Sequence, residues 1–73
     1  MIPDASKKEW ADLITGAKTP KITSFSLQLK LNALKLDYKL NRLDLKTATI
    51  ELHRYCSQNE QMYGKDVNII FGI

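Results

Sequence analysis

Residues 25–45 carry an apolar side chain at nearly every second position, and no glycine or proline interrupts the stretch. Such alternation is typical of a β-strand, but the leucine, lysine, alanine and glutamine found here favour helix. From Phe25 to Lys46 the chain has no valine, isoleucine or threonine, the residues that populate strands. Composition outweighs alternation, so the sequence predicts an all-α fold with a long middle helix.

The alternative is an α+β fold in which the same stretch forms a three-stranded meander. Its strands would be 25–31, 34–40 and 43–50, with a helix on either side. This αβββα order is similar to that of double-stranded-RNA-binding domains, a likeness of element order alone. Its turns would be Asn32-Ala33 and Asn41-Arg42. Two-residue hairpins penalise alanine or arginine in the second place, so this alternative is the less favoured.

The length of 73 residues predicts a single domain, and helix start and stop signals predict a small three-helix bundle. Ser6 and Glu9 have the spacing of a capping box, with Asp4 as a competing start, and Gly16 is a predicted left-handed stop. The predicted helices span roughly residues 5–15, 24–42 and 45–63.

The end of the chain is predicted to be a tail and not a further helix. Asp44 is a natural N-cap for the third helix, and Gly64 would end that helix. The apolar segment 67–73 would then pack over the bundle as an extended segment or a single turn.

The middle helix would be apolar on two opposite sides. At about 100° per residue, one sector holds Phe25, Leu29, Ala33, Leu36, Leu40 and Leu43. The opposite sector holds Leu27, Leu31, Leu34 and Tyr38. A helix of this kind must be covered on both sides, and so small a domain has little material to do so. We therefore assign the second sector, Leu27, Leu31, Leu34 and Tyr38, to a protein partner or a second copy.

The net charge of +3 is unevenly distributed, since residues 17–46 hold seven of the basic and two of the acidic side chains. Three of the basic side chains, Lys35, Lys39 and Arg42, would form a ridge along one flank of the middle helix. Cations at helical spacing can follow a phosphate backbone, so this ridge is a candidate phosphate-binding site. Nucleic-acid binding is therefore the alternative function.

The remaining residues give no signal of catalysis or of a bound cofactor. His53 and Cys56 are the only histidine and cysteine, and a zinc site needs four ligands. The glycines stand singly, so no phosphate-cradling loop is predicted. We expect no catalytic residues, no metal, no cofactor and no small-molecule substrate.

Composition also bears on location and function. A single cysteine allows no internal disulfide, and the start of the chain lacks the apolar core of a secretory signal. Lysines interrupt every apolar stretch well before the roughly 20 residues of a membrane span. We expect a cytoplasmic, non-enzymatic interaction or regulatory module that acts through an apolar helix face, on a protein partner or, as a homodimer, on a second copy.

Overall fold

The computed structural model describes residues 2–73 and contains four α-helices in that range. They are α1 (Lys8–Thr15), α2 (Phe25–Lys39), α3 (Leu45–Gln58) and α4 (Glu60–Phe71). No residue between 2 and 73 lies in a β-strand. The all-α prediction is therefore confirmed, and the αβββα alternative is wrong.

Helix α1 begins later than the capping-box pattern predicts. The carboxylate of Asp4 accepts a hydrogen bond from the backbone N–H of Ser6 at 2.8 Å, which forms a tight turn before the helix. Lys7 occupies the N-cap position, and its side chain makes no capping hydrogen bond. Gly16 ends the helix in the left-handed region at φ 87°, as predicted, and its N–H donates to the carbonyl of Asp12.

Helix α2 ends at Lys39, three residues before the predicted end. Asn41 adopts a left-handed φ of 60°, and the N–H of Arg42 donates to the carbonyl of Asp37 at 2.8 Å. The chain then turns directly into α3. Asp44 is the N-cap of α3, as predicted, and its carboxylate accepts a hydrogen bond from the N–H of Thr47 at 2.7 Å.

The C-terminal quarter of the chain differs from the prediction. Helix α3 ends at Gln58, and Asn59 breaks the helical path with φ −127°. Its side-chain amide donates to the carbonyl of Tyr55 at 2.9 Å. Helix α4 then runs through Gly64 to Phe71, so the predicted stop at Gly64 is wrong. The tail 67–73, predicted as an extended segment or a single turn, instead belongs mostly to this fourth helix of the described residues, where three helices were predicted.

The physical reason is that α4 buries one side of itself against the bundle. Tyr63, Val67 and Ile70, spaced by four and three residues, are at most 2 % exposed. Burial of three such side chains contributes several kcal/mol, whereas a glycine within a helix costs only about 1 kcal/mol relative to alanine. Tertiary packing therefore outweighs the local stop signal.

All four helices contribute to one buried core. Its members are Trp10, Leu13, Ile14, Leu27, Leu31, Leu34, Ala48, Leu52, Cys56, Tyr63, Val67 and Ile70. Trp10 is fully buried, as the stripe of α1 predicts, and its ring packs against Phe71 at 5.1 Å and His53 at 5.3 Å between ring centres. The end of α4 therefore closes the core beside α1 and α3.

The carboxylate of Asp66 joins α4 to the start of α2. One oxygen accepts hydrogen bonds from the backbone N–H and the hydroxyl of Thr23, both 2.8 Å long, and the other accepts from the N–H of Ser24 at 3.1 Å. Asp66 is 1 % exposed. The side chain of the N-cap residue Ser24 makes no capping hydrogen bond, and Asp66 instead satisfies the backbone N–H groups of Thr23 and Ser24 from a distant helix.

Candidate interaction surface

Helix α2 has the two apolar sides that the sequence predicts, but the core covers the side that we had assigned to a partner. Leu27, Leu31 and Leu34 are 1–4 % exposed, and Tyr38 is half-buried against them. We had expected part of this set to be exposed in the monomer, and that expectation is wrong for the three leucines, while Tyr38 keeps part of its surface exposed. Their sector faces α1 and α3, which both pack against α2.

The opposite side of α2 is exposed and apolar. Phe25 is 76 % exposed, and Leu29, Leu36 and Leu40 are 53 %, 51 % and 50 % exposed. Ala33 lies between them and is also exposed. We call these five residues, Phe25, Leu29, Ala33, Leu36 and Leu40, the apolar stripe. The stripe runs the full length of the helix, about 22 Å at 1.5 Å per residue.

Polar contacts hold α2 in place on both sides of its first turn. Asp66 binds the two residues before Phe25, as described above, and the hydroxyls of Ser26 and Tyr63 lie 2.6 Å apart. The hydroxyl of Tyr63 in turn donates to that of Tyr55 at 3.1 Å. Two helices thus anchor α2 from behind and leave the apolar stripe facing outwards.

The basic ridge forms only in part. Lys39 is exposed and Lys35 is half-buried, and both line a shallow groove between α2 and the end of α1. Arg42 lies beyond the end of α2, and its guanidinium pairs with the carboxylate of Asp37 at 3.4 Å. The three cations therefore do not continue along one regular helix, and one of them is already paired.

The histidine and the cysteine have separate structural surroundings. A ring nitrogen of His53 lies 2.9 Å from the carbonyl oxygen of Pro3, and the ring meets Trp10 edge-on. Cys56 is fully buried, and burial raises the pKa of its thiol to about 12. A thiol with that pKa is protonated at neutral pH and is a poor nucleophile.

Three further observations bear on the kind of site. Among residues 2–73, no three His, Cys, Asp or Glu side chains are grouped so that they could hold a metal ion. No helix in the described range has both the length and the apolar character to cross a bilayer. Comparisons with protein-family models, curated proteins and solved structures gave no match to this chain.

The sequence contains the residues of the apolar stripe but no local signal for which side of α2 is buried. Both sides carry leucines and one aromatic ring, Phe25 on one and Tyr38 on the other. The choice depends on where α3 and α4 dock. The pairing of Ser26 with Tyr63 and of Thr23 with Asp66 fixes that orientation, and these partners lie 37 and 43 residues apart.

Proposed function

We propose that this protein is a non-catalytic interaction module that binds protein through the apolar stripe of α2. The observation that carries this proposal is the exposure of Phe25, Leu29, Leu36 and Leu40, each at least half accessible, on one helix face. Soluble monomers rarely expose contiguous apolar patches above a few hundred Å² unless the patch is functional. An amphipathic surface on a protein partner would remove this patch from water.

The form of the surface supports a protein ligand over a small molecule. The stripe is a convex row on one helix, whereas small-molecule sites are concave and enclose most of the ligand. Helical apolar rows at this spacing are typical of helix-to-helix recognition. Phe25, the most exposed of the large apolar side chains on α2, would be the main anchor because buried aromatic rings dominate interface energies.

Site-specific photo-cross-linking tests this proposal in the full chain. A benzophenone side chain at Leu36 should give one defined protein adduct when the chain is produced in its own cells. The same probe at Gln58, which is exposed on α3 and lies outside the stripe, is the control and should give none. Absence of an adduct from Leu36, or the same adducts from both positions, would contradict the proposal.

A further inference from the structure

We infer that the apolar stripe binds the same stripe of a second copy of this chain, with the two α2 helices antiparallel about a two-fold axis at Ala33. This inference rests on the proposed function, since it names the partner of the same surface. Two-fold dimers are the commonest closed oligomers, and they need a surface that is complementary to itself. The stripe meets that condition through the order of its side-chain sizes.

The sizes of the side chains are arranged almost symmetrically about Ala33. Phe25 and Leu29 lie eight and four residues before it, and Leu36 and Leu40 lie three and seven residues after it. An antiparallel copy therefore places Phe25 against Leu40 and Leu29 against Leu36. Ala33 falls at the axis, where its small side chain allows the two helices to approach to about 8 Å.

The polar side chains beside the stripe are also compatible with an antiparallel copy. A two-fold axis across two antiparallel helices brings each flank against the same flank of the other copy. On one flank, Lys39 would face Gln28 of the second copy, and Lys35 would face Asn32. Within each chain these two amides are joined by a hydrogen bond of 2.9 Å.

The other flank supplies opposite charges. Lys30 lies three residues before Ala33 and Asp37 lies four residues after it, so each Lys30 would come near Asp37 of the second copy. Within one chain Asp37 pairs with Arg42 at 3.4 Å, and the Lys30 ammonium lies 5.5 Å from the centre of the Tyr55 ring. The new pair would replace these two contacts. This pair would occur twice in a symmetric dimer. In this arrangement the two helix dipoles are opposed, which is the favourable orientation.

The exposed area sets the expected strength of the dimer. A stripe of a few hundred Å² is smaller than the roughly 800 Å² that each partner buries in a standard interface. Met62 and Ile69 on α4, 61 % and 44 % exposed, are further exposed apolar side chains outside the stripe. We therefore expect a reversible dimer with a dissociation constant of the order of micromolar to 100 μM.

Sedimentation of the full chain tests the second copy as partner. The mass should rise from one chain to two between about 1 μM and 1 mM, in line with the expected affinity. Leu29→Glu should weaken the association by at least about a hundredfold, because two charges would enter an apolar interface. Ile50→Glu, a matched change of an exposed apolar side chain on α3, should leave it unchanged. Circular dichroism would check that both variants fold.

A thiol cross-linker tests the orientation. Phe25→Cys mixed with Leu40→Cys should give a cross-linked dimer, whereas Phe25→Cys alone should not. The buried Cys56 of each chain leaves the introduced thiols as the accessible ones. Efficient cross-linking of Phe25→Cys to itself would overturn the antiparallel arrangement.

The failure of this inference is distinguishable from failure of the proposed function. A chain that stays monomeric up to about 1 mM would overturn the second copy as partner. If the Leu36 cross-linker then captures one different protein, the interaction module stands with another partner. If Leu36 gives no adduct, both proposals fail.

Discussion

The carboxylate of Asp66 accepts two hydrogen bonds from Thr23, one from its backbone N–H and one from its hydroxyl, across 43 residues of sequence. With the bond from the N–H of Ser24, this contact fixes the backbone just before α2, whereas an N-cap side chain accepts from N–H groups inside the first helical turn. At the start of α3, the N-cap residue Asp44 makes such a local contact, since its carboxylate accepts a hydrogen bond from the N–H of Thr47. The difference matters because the contact that holds the start of α2 forms only when α4 is folded and docked.

We predict that Asp66→Ala destabilises the protein by about 3 kcal/mol, measured by urea unfolding. The variant leaves the N–H groups of Thr23 and Ser24 without their charged acceptor, and hydrogen bonds to charged groups contribute roughly 1.5–3 kcal/mol each. Asp44→Ala is the matched control. It removes a cap at the surface, which water can replace, so its loss should be clearly smaller. Equal losses of stability in the two variants would show that Asp66 contributes no more to the free energy of unfolding than a surface N-cap does.

The same carboxylate should make stability fall at acid pH. Burial tends to raise the pKa of Asp66, but hydrogen bonds from Thr23 and Ser24 outweigh it and hold the pKa below the ordinary value of 3.8. A group whose pKa is lower in the folded state stabilises the fold above its unfolded pKa, and this stabilisation is lost as pH falls through the folded value.

Comparison with Asp66→Asn isolates this group. The wild type should exceed the variant in free energy of unfolding at pH 6, and the gap should narrow below about pH 4, because a protonated aspartate resembles asparagine. Urea unfolding at a series of pH values measures the gap. A difference in free energy of unfolding that is constant with pH would mean that the charge of Asp66 does not contribute to stability.

The two sides of α2 should respond differently to the same substitution. Leu31→Ala removes a side chain that is 4 % exposed and should cost about 2–5 kcal/mol. Leu29→Ala removes one that is 53 % exposed and should change the stability of the monomer by less than about 0.5 kcal/mol. Thermal or urea unfolding at low protein concentration gives both values. Similar losses from both variants would contradict the assignment of the faces.

Sequence reasoning succeeded where the determining interactions are local. The N-cap at Asp44 and the left-handed stop at Gly16 each depend on groups within four residues, and the structure confirms both. The helical nature of α2 follows from its composition in the same way. Such features can be inferred from a short window of sequence.

Sequence reasoning failed where contacts between residues far apart in the sequence determine the structure. The path of α4 through Gly64 depends on burial of Tyr63 and Val67, and the orientation of α2 depends on Asp66. A helix with similar apolar content on two sides gives no local measure of which side is buried. From the sequence alone we therefore left the apolar stripe to the core of the chain and assigned Leu27, Leu31 and Leu34 to the surface that binds a partner.

Nucleic-acid binding through the basic ridge is the last prediction, and we expect it to be weak. Arg42 is paired with Asp37, and Lys35 is half-buried, so within the ridge only Lys39 is both exposed and outside a described ion pair. Binding to duplex DNA or RNA should stay in the non-specific range of about 10⁻⁴–10⁻⁶ M and fall steeply with salt. Fluorescence anisotropy at a series of salt concentrations measures both the affinity and the slope.

Two charge-matched variants separate the ridge from the overall charge of the protein. Replacement of Lys35, Lys39 and Arg42 by glutamate should abolish the residual binding if the ridge carries it. Replacement of Lys7, Lys8 and Lys65 by glutamate changes the net charge by the same amount at exposed positions outside the ridge. This second variant should weaken binding only in part. Equal effects of the two variants would mean that any binding follows net charge alone. Tight, sequence-selective binding by the wild type at physiological salt would instead favour nucleic acid over protein as the ligand, because non-specific phosphate contacts alone carry no sequence information.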